Sequence, residues 1–207
     1  MRTTYDIISW AKTHKKSGIL LLVDFEKAYD SLSFKYIKKC LTFFNFGESI
    51  VRWISLLLND FRAVLNHCGN VSKRFSIERG ARQGDPIASY LFIISLEILA
   101  HKLRADSNVK GFEINGNPKT LELYADDCSI FLEPIESNLR KALELLNTFH
   151  SISGLKISLS KTKAIWFGKD CKQKGPICQD LNLDWSQQFK LLGVTFYSDL
   201  DNMDDNF

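Results

Sequence analysis

The chain has 207 residues, a formal charge of +3, and 45% hydrophobic, 12% aromatic and 25% charged side chains. That balance allows one large domain or one and a half, and it excludes wholesale disorder or a collagen-like chain. No uninterrupted apolar run reaches the ~18 to 20 residues that span a bilayer, no secretory leader pattern opens the chain, and the 5 cysteines are irregularly spaced, so a soluble intracellular protein with free thiols and no membrane partner is expected.

In chain order, residues 19–23 (Ile-Leu-Leu-Leu-Val) form a continuous apolar run between Gly18 and Asp24, short enough for a strand buried on both faces. Ser33 is placed to cap a helix running to about Phe44, and a second helical pattern covers about Glu48 to Asn59. Phe61 to Ile77 reads as a hairpin around Asn66-His67-Cys68-Gly69-Asn70. Asp85-Pro86 is a helix start, and the apolar positions that follow predict a helix to about residue 104. Phe112–Ile114 and Leu121–Leu132 read as strands, the second broken by a tight turn at Ala125-Asp126-Asp127 that carries the two acids at its tip. Ile135, Leu139, Ala142, Leu143, Leu146 and Phe149 mark an amphipathic helix ended by Gly154, and short strands are expected near 155–158, 163–167 and 190–196. This order suits an α+β fold with helices packed on one face of a mostly antiparallel sheet.

Charge is unevenly placed. Residues 199–207 hold four aspartates and no Lys or Arg, leaving 27 basic against 20 acidic groups over residues 1–198. Lysines cluster at 12/15/16, 35/38/39, 156/161/163 and 169/172/174. They suit a phosphate backbone, and equally suit solvated helix and loop faces.

Asp24 ends one buried strand, and Asp126 and Asp127 tip a later hairpin, so a sheet that sets these strands side by side gathers three carboxylates at one edge. Such a cluster repels itself unless a divalent cation neutralises it, and two cations ~3.5 to 4 Å apart can clamp the oxygens of an in-line phosphoryl transfer. Taken singly, each feature reads rather as a polar turn or a strand terminus than as a metal site.

Three segments occur together in order: Asp24-Phe25-Glu26-Lys27-Ala28-Tyr29-Asp30-Ser31, Arg79-Gly80-Ala81-Arg82-Gln83-Gly84-Asp85-Pro86 and Tyr124-Ala125-Asp126-Asp127. With them the chain resembles the reverse transcriptase domain of non-LTR (LINE-type) retrotransposons, the segments matching motifs A, B and C. Gly154 to Lys163 is similar to motif D and Phe189 to Val194 to motif E. The resemblance covers roughly residues 5 to 197 and implies a polymerase palm, a ferredoxin/RRM-like antiparallel sheet with helices on one face, and an RNA-directed DNA polymerase (a nucleotidyltransferase).

By this resemblance Asp24 and Asp126, with Asp127 alongside and the Phe25 carbonyl assisting, hold two Mg²⁺ ions, for which Mn²⁺ can substitute. The partners implied are an RNA template, a DNA primer and dNTPs. Tyr29 packs under the incoming sugar and selects dNTP over rNTP, or else is a core aromatic. Gln83 and Gly84 lie beside the nascent base pair, and Arg82 reaches template or triphosphate, or equally is a solvated loop arginine. Tyr124 packs near the primer terminus, or is an ordinary strand aromatic. Lys161 protonates the leaving pyrophosphate, with Lys163 as a competitor and simple exposure as the alternative for both. Leu191 and Gly193 belong to a strand pair that grips the primer, Leu191 and Leu192 serving packing.

The domain expectation is a palm with partial fingers over 1–198 and an acidic, frayed tail over 199–207. Fingers strands before motif A, a thumb, an endonuclease domain and a Cys/His-rich segment are expected to be missing, so a truncated, catalytically silent remnant is the competing reading. A nuclear or cytoplasmic site of action follows from the resemblance alone.

Overall fold

The computed structural model describes residues 2–59, 61–81, 84–169, 171, 175–181 and 183–200. In chain order the elements are α1 (Arg2–Thr13), β1 (Ser17–Val23), α2 (Ala28–Ser31), α3 (Phe34–Phe43), α4 (Glu48–Leu58), β2 (Arg62–Ala63), β3 (Asn66–His67), β4 (Asn70–Val71), β5 (Phe75–Ser76), α5 (Pro86–Ala105), β6 (Phe112–Ile114), β7 (Asn117–Lys119), β8 (Leu121–Tyr124), β9 (Asp127–Leu132), α6 (Glu136–Ser153), β10 (Lys163–Gly168), β11 (Asp184–Trp185), β12 (Gln188–Leu191) and β13 (Val194–Tyr197). They fall into two compact units, one of Met1–Glu26, Leu99–Thr148 and Ile157–Phe207, the other of Lys27–Ile98 and Phe149–Lys156.

The first unit is built on a five-stranded sheet in the order β11-β10-β1-β9-β8. β1 pairs antiparallel with both β10 and β9, and only the short β10–β11 pair is parallel. The apolar run of β1 is buried as its sequence predicts, because it lies mid-sheet with apolar side chains leaving both faces. On one face Leu20, Phe131, Ile165 and Phe167 are covered by Ile7, Ile8 and Ala11 of α1 and by Phe189, Leu191 and Phe196 of the β12–β13 hairpin. Each such side chain contributes roughly 1.5 to 3 kcal/mol when fully buried.

Helix α1 is not expected from the sequence. Its inward positions are Thr4, Ile7, Ile8 and Ala11, a correct helical spacing in which a buried threonine and two β-branched isoleucines mask the amphipathic signal. The expected strand at 155–158 is reduced to one bridge, Phe25 to Ile157. Near the C-terminal end the sheet strand expected over 190–196 is a separate hairpin, turning at Leu192-Gly193 where both residues have positive φ. A further hairpin, β6–β7, turns at Asn115-Gly116, an Asn-Gly signal in plain view. Asp199 and Leu200 are held: the Lys12 ammonium donates to the Asp199 carbonyl at 2.9 Å, and Leu200 packs against the core. The rest of the expected tail, 201–207, lies outside the described residues.

The second unit holds α2 to α4, the long hairpin of β2 to β5, and the adjoining parts of α5 and α6. Tyr36, buried on α3, donates to the Ser95 carbonyl at 3.1 Å, and Ser95 Oγ donates to the Leu91 carbonyl at 2.7 Å. Burial, with the nearby Cys40, pushes the Tyr36 phenol far above its ordinary range. Gly154 ends α6 at φ +86°, where a Cβ would stand 2.5 Å from the Ser31 carbonyl oxygen.

Helix α5 corrects one expectation. It has 20 residues, and an 18-residue stretch of them with mean hydropathy 1.4 is enough, by length and composition, to cross a membrane. Serines and Glu97 interrupt the apolar run in sequence, yet Leu91, Phe92, Leu96, Leu99, Ala100 and Leu103 are buried within the protein. The burial of these six positions matches a core helix.

Candidate active site

The site begins with strand register. β1 and β9 pair Leu22 with Ser129 and Val23 with Cys128, so continuing the pairing by one residue sets Asp24 opposite Asp127. β8 and β9 pair Tyr124 with Asp127. The turn between them is Ala125-Asp126, so Asp127 is the first strand residue and not part of the tip, a one-residue correction to the sequence reading. Ala125 carries φ +52°.

Three carboxylates thus meet at one end of the sheet. Partial burial is the main cause that raises the Asp127 carboxyl above the usual aspartate range, and the neighbouring charges of Asp126 and Asp24 raise it further. Behind it, Cys128 is fully enclosed, and burial with the Asp127 charge pushes its thiol up to about 12.

The 158–162 turn fixes Asp24 through its main chain. The Ser158 N–H donates to the Asp24 carbonyl at 2.8 Å, and the Asp24 N–H donates to Thr162 Oγ1 at 3.4 Å. Lys161 and Thr162 donate their N–H groups back to the Ser158 carbonyl, closing the turn. Lys161 Nζ consequently stands 3.9 Å from Asp24 Oδ1, whereas Lys163 Nζ faces Asp184 at 4.0 Å. Geometry therefore separates the two lysines that sequence leaves in competition. Phe25 is buried and bridges to Ile157, so the chain just after Asp24 is held too.

Beside the carboxylates lies a groove of about 260 Å³ lined by Thr3, Glu122, Leu123, Tyr124, Asp127, Ser129, Leu191 and Leu192. Tyr124 is 65% exposed and lines this groove. Leu191 is buried in the core behind it, as expected of a packing residue, and Gly193 at φ +86° sits in the hairpin turn. Glu122 is a feature the sequence reading misses. It accepts a hydrogen bond from Thr4 Oγ1 at 3.2 Å, and alternation along β8 from Tyr124 was the available signal. Nothing in the sequence marks Thr162.

Tyr29 and Gly84 belong to the second unit. Tyr29 stacks on buried Phe92 with ring centroids 4.5 Å apart, so it is in part the core aromatic of the alternative reading. The loop leading to α5 is tied to α2 by Ala81 N–H on the Tyr29 carbonyl at 2.6 Å and Gly80 N–H on the Leu32 carbonyl at 2.8 Å. Gly84 has φ +90° with open space around the position of a Cβ. Arg82 and Gln83 lie outside the described residues. Asp85 accepts the Ile87 N–H at 3.1 Å, starting α5 where the sequence places it.

Among the described residues no group of three or more His, Cys, Asp or Glu side chains is arranged to enclose a metal ion by itself. Hard oxygen donors gathered at a strand end nevertheless fit a divalent cation. Magnesium in particular keeps waters and substrate phosphates in its shell and needs only one or two carboxylates.

An α+β unit with acidic strand ends on a central antiparallel sheet is the palm of a polymerase. The structure of telomerase from Candida tropicalis in complex with a fragment of telomeric RNA shares this fold at 12% identity and TM-score 0.65, matching all of this chain and 33% of that one. The apo telomerase of Candida tropicalis does so at 13% identity and TM-score 0.64, over 96% of this chain and 38% of that one. A family model described as "Reverse transcriptase (RNA-dependent DNA polymerase)" matches residues 1–196, and the chain belongs to that family. It is similar to the Pol polyprotein of the type-2 retrotransposable element R2DM of Drosophila melanogaster, 26% identical over 92% of this chain and 18% of that protein. It is also similar to the R2 Pol polyprotein of Popillia japonica, 25% identical over 76% of this chain and 22% of that protein. A Transposon TX1 149 kDa protein of Xenopus laevis is 23% identical over 91% of this chain and 14% of its own length. The chain thus spans less than a quarter of the length of these relatives.

Proposed function

We propose that this domain copies RNA into DNA by adding dNTPs to a primer 3′-hydroxyl, with Asp24, Asp126, Asp127 and the Phe25 carbonyl holding two Mg²⁺ ions or Mn²⁺ in their place. When bound, such cations supply Lewis-acid neutralisation of the charge on the reacting phosphate. The chain's own residues position the reactants. Asp24 is immobilised by two main-chain hydrogen bonds to the 158–162 turn, so its carboxylate keeps its place relative to Asp127 without reorganising. Tyr124, Leu191 and Leu192 offer the primer end an apolar groove wall with Gly193 in the adjoining turn, and Tyr29 with Gly84, Gln83 and Arg82 serves the incoming nucleotide. As the 3′-hydroxyl oxygen gives up its proton to solvent and bonds to the α-phosphorus, and the bond to pyrophosphate breaks, the Lys161 ammonium donates a proton to the departing oxygen.

The observation that carries this reading is the pairing of β1 with β9, which sets Asp24 opposite Asp127 and beside Asp126 although Asp24 lies more than a hundred residues away in sequence. It is tested by incorporation of labelled dTTP on poly(rA)/oligo(dT) with Mg²⁺, against an Asp126→Ala, Asp127→Ala control. Incorporation abolished in the control supports it. Incorporation that survives in the control overturns it.

A further inference from the structure

The second unit holds apolar surface that the carboxylate site does not use. On α4, Val51, Ile54 and Leu58 are spaced three and four apart; Ile54 is buried and the other two partly so, which makes this the stripe that packs on the core. A second apolar stripe, Ile50, Trp53 and Leu57, repeats the spacing one residue away, about 100° further round the helix. It is open: Ile50 is 48%, Trp53 69% and Leu57 57% accessible, and Leu56 beside them 64%. A helix that packs one face on a core needs an apolar arc of about 100°, and this arc is about twice as wide. Glu48, Arg52 and Ser55 occupy the remainder. Single exposed apolar residues need no cover, but four neighbouring ones around a tryptophan mark an interaction surface.

Area and charge select the cover. The four side chains leave roughly 450 Å² open, and Phe43 at the end of α3 with Phe46 in the turn before α4 brings the exposed apolar surface of this region to about 650 Å². That exceeds the largest patch of a typical monomer, roughly 300 to 600 Å², and approaches the ~800 Å² that each partner buries in a stable interface. The stripe carries no charge. Arg52 is the one cation of α4 and stands four residues after Glu48, so this face suits neither a phosphate backbone nor the anionic membrane surface sought by basic amphipathic helices. Positions 50, 53 and 57 are instead the a, d and a of a heptad seam. Such a seam complements its own copy, because a two-fold axis across it lays a on d positions in an antiparallel helix pair, and two-fold pairing is the commonest symmetric association.

We propose that α4 is a dimerisation helix, on which Ile50, Trp53, Leu56 and Leu57 pack against the same residues of a second copy of this chain. The proposal stands apart from the carboxylate chemistry.

The test is sedimentation velocity of the whole chain from about 1 to 100 μM, the range in which an interface slightly below standard size associates. The weight-average mass should climb with concentration from 23.7 kDa towards twice that value. Trp53→Glu, which places a charge in the seam, should hold the mass at 23.7 kDa throughout, and so should the Ile50→Gln, Leu57→Gln double variant. Ile93→Glu, at an exposed apolar position of α5 outside the seam, should dimerise as the parent does. Thermal melting verifies that each variant folds, and the melting temperature should rise with concentration for the parent but not for Trp53→Glu. A parent chain that stays monomeric at about 100 μM overturns the proposal, including one whose α4 binds lipid vesicles or a different protein instead. So does dimerisation that survives both seam variants, or that Ile93→Glu abolishes as readily.

Discussion

Lys161 Nζ stands 3.9 Å from Asp24 Oδ1, brought there by a turn whose own N–H group holds the Asp24 carbonyl. With the lysine 71% and the aspartate 44% exposed, the pair adds at most about 1 kcal/mol to stability. Its value lies in position. Lys161→Gln is expected to leave the melting temperature within ~2 °C and to slow nucleotide incorporation on the order of 10²-fold, as loss of a general acid does. Lys163→Gln, whose parent side chain faces Asp184, should leave the rate intact. Single-turnover kinetics of both variants check this.

Asp127 makes a pH prediction whose sign follows from its raised proton affinity. A carboxyl whose folded value exceeds its unfolded one opposes folding when ionised. The penalty is absent below the ordinary value of about 3.9 and fully present once pH has passed the raised folded value. Asp127→Asn should therefore stabilise the chain at neutral pH, by about 1 °C given its solvent exposure, and give no gain in acid. Added Mg²⁺ should raise the melting temperature of the parent more than that of the Asp126→Asn, Asp127→Asn chain. Thermal melts across pH and cation concentration provide the measurement.

The turn that presents Asp126 is strained at Ala125, φ +52°. Left-handed backbone costs a non-glycine residue roughly 1 to 2 kcal/mol, while glycine costs roughly 0.5 to 1 through the unfolded chain. Ala125→Gly should come out neutral to about 1 kcal/mol more stable by chemical denaturation. If incorporation falls nonetheless, the alanine is there to hold the aspartate still.

Tyr29 stacks on Phe92, so removing its ring touches both packing and substrate choice. Tyr29→Phe should preserve discrimination against rNTP. Tyr29→Val should reduce it on the order of tenfold or more and also lower stability by about 1 to 3 kcal/mol. Comparing kcat/KM for dTTP and UTP in the two variants distinguishes a steric filter from a purely structural ring.

Much of this was legible in the sequence because its signals are local or strictly periodic. The run Ile19 to Val23, the Asp85-Pro86 helix start and the Tyr124 to Asp127 hairpin need only nearest neighbours to be read. What stayed hidden depends on contacts across the chain. Thr162 reaches Asp24 from 138 positions away, and Glu122 meets Thr4 from 118. Helix α1 escaped because a threonine occupies an inward position, and the choice between Lys161 and Lys163 required the turn at Ser158.

Asp24 and Asp127 are carried by buried, paired strands: the strand before Asp24 and the strand that begins at Asp127 pair with each other through Ile19 to Val23 and Cys128 to Leu132. Slow amide exchange belongs to such strands, which open only when the whole domain unfolds. The spacing of Asp24 and Asp127 is therefore tied to the pairing of the strands themselves. A one-residue slip would turn every side chain of β1 to the wrong face, expelling the core and dismantling the acidic site in a single event. Heat inactivation and global unfolding should trace one and the same curve.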